Sequence, residues 1–158
     1  MTERRHSNEQ AGGAARITVV GLMSSDDDDG RLVGATGSRN GWQVVFAETH
    51  IEAEAALDQA QVPVVFCDHG LLGLGWRRAV ERLSGPPKRA CVILLSETAD
   101  TNLWNEVVSS GGYDVLSKPL REDTVTRAVR LARSYWISPA RTGLLLNRSP
   151  QLAKEGTS

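Results

Sequence analysis

Residues 63–67 read PVVFC, an apolar run closed by the carboxylate of Asp68, and the reading of this run decides the fold. A short apolar stretch rich in β-branched residues is the mark of a strand buried on both faces, as strands of helix-covered parallel sheets are. Outward from it the pattern repeats. Residues 17–23 (ITVVGLM), 42–47 (WQVVFA), 91–95 (CVILL) and 113–116 (YDVL) are further strand candidates, and segments of helical period lie between them. The first helix is expected from the aspartates after Ser25 to about Arg39, followed by an Asn40-Gly41 turn. The second carries Ile51, Ala55, Ala56 and Ala60 behind the capping candidates Glu48 and Thr49. The third places Trp76, Val80 and Leu83 on one face before Gly85-Pro86-Pro87 breaks the chain, and the intervening stretch 69–75 (HGLLGLG) reads as a flexible loop. The fourth carries Leu103, Val107 and Val108 and stops at Gly111-Gly112; the fifth runs from near Arg121 to Trp136. Five strand-helix units in alternation define an α/β domain over residues 16–136, a parallel sheet with helices on both faces. Residues 1–15 and 137–158 read as tails.

Composition narrows the function. The chain has 158 residues, enough for one domain with a real core. Lys and Arg number 18 against 19 Asp and Glu, a net charge of -1, so no basic footprint speaks for nucleic acid or an anionic membrane. The apolar runs fall far short of the roughly 20 residues a membrane helix needs, and no apolar segment follows the charged N-terminal residues as in a secretory signal. A cytoplasmic location is expected. Cys67 and Cys91 both lie in apolar runs and read as buried free thiols, without disulfide or metal-ligand spacing.

In an open parallel sheet, ligands bind beyond the carboxyl ends of the strands. Asp68 closes the third strand, Ser96 the fourth and Lys118 the fifth, while Ser24, Ser25 and Asp26 to Asp29 follow the first. A carboxylate, a hydroxyl, an ammonium and an acidic cluster on one rim suit phosphoryl transfer. With VVFCD ending at Asp68, VILLS ending at Ser96 and GGYDVLSKPL containing Lys118-Pro119, at separations of 28 and 22 residues, the chain resembles the receiver domains of bacterial response regulators. That resemblance implies a flavodoxin-like, CheY-like doubly wound sheet of five parallel strands in the order 2-1-3-4-5, and a role in two-component signalling. It implies that Asp68 accepts a phosphoryl group from a histidine kinase or phosphotransfer protein, that Ser96 hydrogen-bonds a phosphoryl oxygen and that Lys118 pairs with the phosphate. Pro119 matches a proline usually joined to that lysine by a cis bond. At most this is self-phosphorylation and dephosphorylation, not turnover.

The sequence also departs from the family. Receivers pair two acids after the first strand with the acceptor aspartate to bind Mg2+; here Ser24-Ser25 or Ser25-Asp26 falls at that pair, leaving Asp68, Asp26 and Asp27 as the expected metal ligands. Glu97 stands where a small residue is usual, and Val115 where an aromatic usually swings. These departures support an alternative, a pseudo-receiver acting as a phosphorylation-independent interaction or dimerisation module. Asp68-His69 and the glycines of residues 70–75 raise a more remote one, a small-cofactor-binding flavodoxin-like domain, but neither a cobalamin nor a dinucleotide motif has this spacing. A homodimer through the fourth helix, fifth strand and fifth helix is implied by the family. No output domain follows Trp136, so a downstream protein partner or a missing output domain is expected, with Leu144-Leu145-Leu146 as a docking candidate.

Overall fold

A computed structural model of the protein describes residues 16–138. Its strands are β1 (Thr18–Leu22), β2 (Gln43–Ala47), β3 (Val64–Asp68), β4 (Cys91–Ser96) and β5 (Asp114–Ser117). Its main helices are α1 (Asp28–Asn40), α2 (His50–Gln59), α3 (Trp76–Ser84), α4 (Thr101–Ser109) and α5 (Glu122–Trp136). All strand pairs are parallel and the order is β2-β1-β3-β4-β5, as expected. The order reverses between β1 and β3, so the rim above those two strands is the natural binding crevice. Residues 1–15 and 139–158, Leu144-Leu145-Leu146 included, lie outside the described residues.

Burial explains the layers. Every residue of β1, β3 and β4 is buried, and alternate side chains feed two cores. Val20, Leu22, Val65, Cys67, Val92 and Leu94 point to the side covered by α2, α3 and α4. Val19, Val64, Phe66, Cys91, Ile93 and Leu95 meet α1 and α5 on the other. Burying one such side chain is worth about 1.5–3 kcal/mol, so the central strands anchor whatever follows them. α1 is also joined to α5: Arg39 donates two hydrogen bonds to Glu122, at 2.5 and 2.7 Å, and Asn40 Nδ2 donates one to Thr126. The Asn40-Gly41 turn falls where expected, with Gly41 in the left-handed region at φ 76° as the helix C-cap.

Two local expectations are corrected. α2 buries Ala53 and Leu57, whereas Ile51 is 69% exposed; an alanine-rich helix gives too little contrast to fix its inner face by periodicity. Thr49 does cap it, accepting the Glu52 N–H. Residues 69–75 are not an open loop but a helical turn (His69–Leu72) and a 3-10 turn (Gly73–Gly75) leading into α3. Asp68 starts that turn by accepting the Gly70 N–H, a cap that offsets the glycines.

Candidate functional site

The buried β3 ends on Asp68, and its side chain, almost wholly covered, is held from two sides. Oδ1 accepts the Gly70 N–H at 3.0 Å and faces Lys118 Nζ at 3.1 Å. Among the described residues no hydrogen bond falls on Oδ2. Lys118 follows β5 directly, its own N–H donating to Ser96 O and its peptide bond to Pro119 cis. Burial works to lower the Lys118 pKa, but the hydrogen bond and charge of Asp68, with the charges of Asp29 and Glu97, outweigh it and the net shift is upward. The ammonium is thus secured as a cation. Behind the site, the Cys67 thiol is pushed up to about 12 by burial and by the Asp68 charge, which keeps it protonated and unreactive.

The acidic cluster divides its labour in a way the sequence reading did not anticipate. Asp27 is the N-cap of α1, its Oδ1 accepting the Gly30 N–H at 2.8 Å. Asp26 is exposed, and its N–H is taken by Ser24 Oγ. Asp28 points to solvent beside Arg31. Asp29 is the acid that reaches the site: Oδ2 lies 3.9 Å from Lys118 Nζ, and Oδ1 accepts the Leu120 N–H at 2.9 Å. The cause is Gly30. A Cβ there would fall on the Ser24 carbonyl oxygen and within 2.9 Å of Ser25 Cα, so only glycine lets the loop after β1 fold this tightly over the helix start. Counting back from Gly41 missed Asp29. Placing the cap at Asp27, the aspartate three before Gly30, would have found it, since the helix then begins with Asp28 and Asp29.

The expected metal set of Asp68, Asp26 and Asp27 is therefore not assembled. Among the described residues no group of three or more His, Cys, Asp or Glu side chains is gathered as a metal site requires. Of the two carboxylates that do converge, each already accepts a backbone N–H, and Lys118 stands between them as the counter-charge. Two carboxylates, Asp68 and Asp29, are thus what the described residues offer near Lys118, in place of the expected three.

Ser96, 2% exposed, ends β4 beside Asp68 but is bonded elsewhere. Its Oγ accepts the Thr98 N–H at 3.0 Å and lies 3.1 Å from Thr98 Oγ1 and 3.0 Å from His69 Nδ1. Glu97 is exposed above it, and Val115 is fully buried in β5 as part of the core. His69, which sequence reasoning weighed only for cofactor motifs, thus belongs to the rim through Ser96.

Topology and strand-end chemistry together define a doubly wound α/β domain with its polar residues at the switch point. Its fold is that of response-regulator receiver domains. A response regulator from Thermotoga maritima is 24% identical, with 75% of this chain and 98% of that chain covered and a TM-score of 0.66. The receiver domain of a sensor histidine kinase from Pseudomonas aeruginosa, with a magnesium ion coordinated in its active-site cleft, is 16% identical at a TM-score of 0.64, covering 76% of this chain and 99% of that one. The beryllofluoride-activated receiver domain dimer of NtrC4 is 18% identical at a TM-score of 0.60, covering 77% and 98%. No family model and no curated protein matches the sequence. Identities at this level establish the fold. Among the described residues, no helix is long and apolar enough to cross a membrane.

Proposed function

We propose that the protein is a phosphoacceptor receiver, taking a phosphoryl group on Asp68 from a histidine kinase or phosphotransfer protein and signalling through protein contacts. The observation that carries this reading is the Asp68 carboxylate, buried at a strand end with Oδ1 held by Lys118 at 3.1 Å and Oδ2 left without a bond among the described residues. Oδ2 is the nucleophile. It attacks phosphorus, the bond from phosphorus to the donor's imidazole nitrogen breaks, and the electron pair leaves with the imidazole. The product is an acyl phosphate on Asp68, and the Lys118 ammonium meets its added negative charge. The output face is α4, β5 and α5, offered to a second copy or to a downstream protein; that one structurally similar receiver domain is a dimer is in keeping with a second copy as partner.

A second reading, the pseudo-receiver, is favoured by one observation: Asp26 and Asp27 serve the loop and the helix cap instead of the pocket. Intact-mass analysis after incubation with acetyl phosphate, with and without Mg2+, separates the two. One added phosphoryl mass on the wild-type protein and none on Asp68→Asn is the expected result. No adduct in either, together with no transfer from a phosphorylated histidine donor, would leave the pseudo-receiver.

A further inference from the structure

We propose that His69 is a positioning residue that holds the Ser96 hydroxyl away from Asp68 in the resting protein and competes with an incoming phosphoryl group for it. The inference rests on the reading of Asp68 as phosphoacceptor and adds a control on how readily that site reacts.

A serine hydroxyl has one proton to give and two lone pairs. Around Ser96 Oγ stand three partners, the Thr98 N–H at 3.0 Å, Thr98 Oγ1 at 3.1 Å and His69 Nδ1 at 3.0 Å. With the His69 proton on Nε2, the Ser96 O–H points to Nδ1 and its two lone pairs take the Thr98 N–H and O–H. With a proton on Nδ1, the imidazole donates and the Ser96 O–H turns to Thr98 Oγ1. In either tautomer the hydroxyl's capacity is filled, and none of it is spent on Asp68, although Ser96 lies at the end of the strand paired to β3.

His69 is well placed for this work. It follows Asp68 in the chain and opens the helical turn that Asp68 caps. Its ring is set edge-on to the buried Trp76 ring, with centroids 6.1 Å apart, which limits the orientations it can take. A phosphoryl oxygen arriving on Asp68 needs a donor, and the Ser96 hydroxyl can donate only by leaving His69 or Thr98. The imidazole therefore sets a threshold for the reaction that Ser96 later serves.

The test is the rate of Asp68 labelling by acetyl phosphate in the wild type and in His69→Phe, His69→Asn, Ser96→Ala and the Phe/Ala double variant. His69→Phe keeps an aromatic ring against Trp76 and removes Nδ1; labelling is expected to accelerate by about 2- to 10-fold, the range of one hydrogen bond exchanged against water. His69→Asn puts a side-chain acceptor close to the place of Nδ1 and is expected to return the rate toward wild type, which a purely structural role would not produce. In the Ser96→Ala background, replacing His69 should change nothing, because the competed hydroxyl is gone. Thermal unfolding of each variant confirms that it folds. Equal or slower labelling of His69→Phe, or an unchanged effect without Ser96, overturns the inference while Asp68 remains the acceptor. Absence of label from every protein overturns the acceptor reading and this one with it.

Discussion

Asp68 and Asp29 face the same ammonium, yet they reach it by different routes. Asp68 ends a strand buried on both faces, so its place is set by the packing of Val64, Val65, Phe66 and Cys67 on each side of the sheet. Asp29 sits in the first turn of a helix whose entry loop could have followed several paths, and its place depends on a glycine that makes room and an aspartate that caps. A strand end is positioned by the whole core; a loop is positioned by one or two local devices. The site is robust on one side and contingent on the other.

The largest expected break in that comparison is at the shared cation. Lys118→Ala should lower acetyl phosphate labelling of Asp68 by about 100-fold or more, as loss of a pre-placed charge does, whereas Asp26→Asn, at an exposed position, should leave it within about twofold. Intact mass against time measures both. A comparable loss from Asp26→Asn would return that residue to the pocket.

Next comes the loop device. Gly30→Ala should cost about 1–3 kcal/mol in urea unfolding, because the methyl group collides with backbone that cannot give. Gly34→Ala, on the same helix, meets only Phe46 ring atoms at 3.8 and 3.9 Å and should be neutral or stabilising by up to about 1 kcal/mol. Similar losses from the two would mean that the loop is not pinned at Gly30. The cap is a smaller matter. Asp27→Ala should destabilise by about 1 kcal/mol, with Asp27→Ser recovering most of it, since a side-chain oxygen in the cap is all that the Gly30 N–H requires.

The smallest effect is one of pH. The pKa of Lys118 is raised above its ordinary 10.5 by Asp68, Asp29 and Glu97, so its stabilising contribution is fully present below that value and is lost as pH rises through the folded-state pKa. The stability gap between wild type and Lys118→Met should therefore hold steady near neutrality and close in strongly alkaline buffer. A gap that closed on acidification alone would assign it to the carboxylates.

The same contrast explains what could be read from the chain. β3, β4 and β5 were legible because doubly buried strands are runs of apolar residues, and the polar residue ending each run marks the rim: Asp68, Ser96 and, one position past β5, Lys118. The sheet order came with the resemblance those three residues carry. Asp29 was not legible by spacing, since in a row of four aspartates only the cap geometry tells one from another. His69 was hidden for a different reason, its partner Ser96 being 27 positions away and its neighbours glycines that read as a loop. The inner face of α2 was lost because alanines pattern weakly.

The Asp29 bond to Leu120 also has a consequence in time. It spans 91 positions, the Arg39 pairing with Glu122 spans 83, and Lys118 meets Asp68 across 50. At a synthesis rate of about 5–20 residues per second, the carboxylate of Asp68 is made roughly 3–10 seconds before the lysine that will face it. Throughout that interval the growing chain holds both acids of the site and no cation between them. The pocket comes into being only with the last strand, and a nascent protein still short of β5 has the Asp68 carboxylate without the cation that holds it.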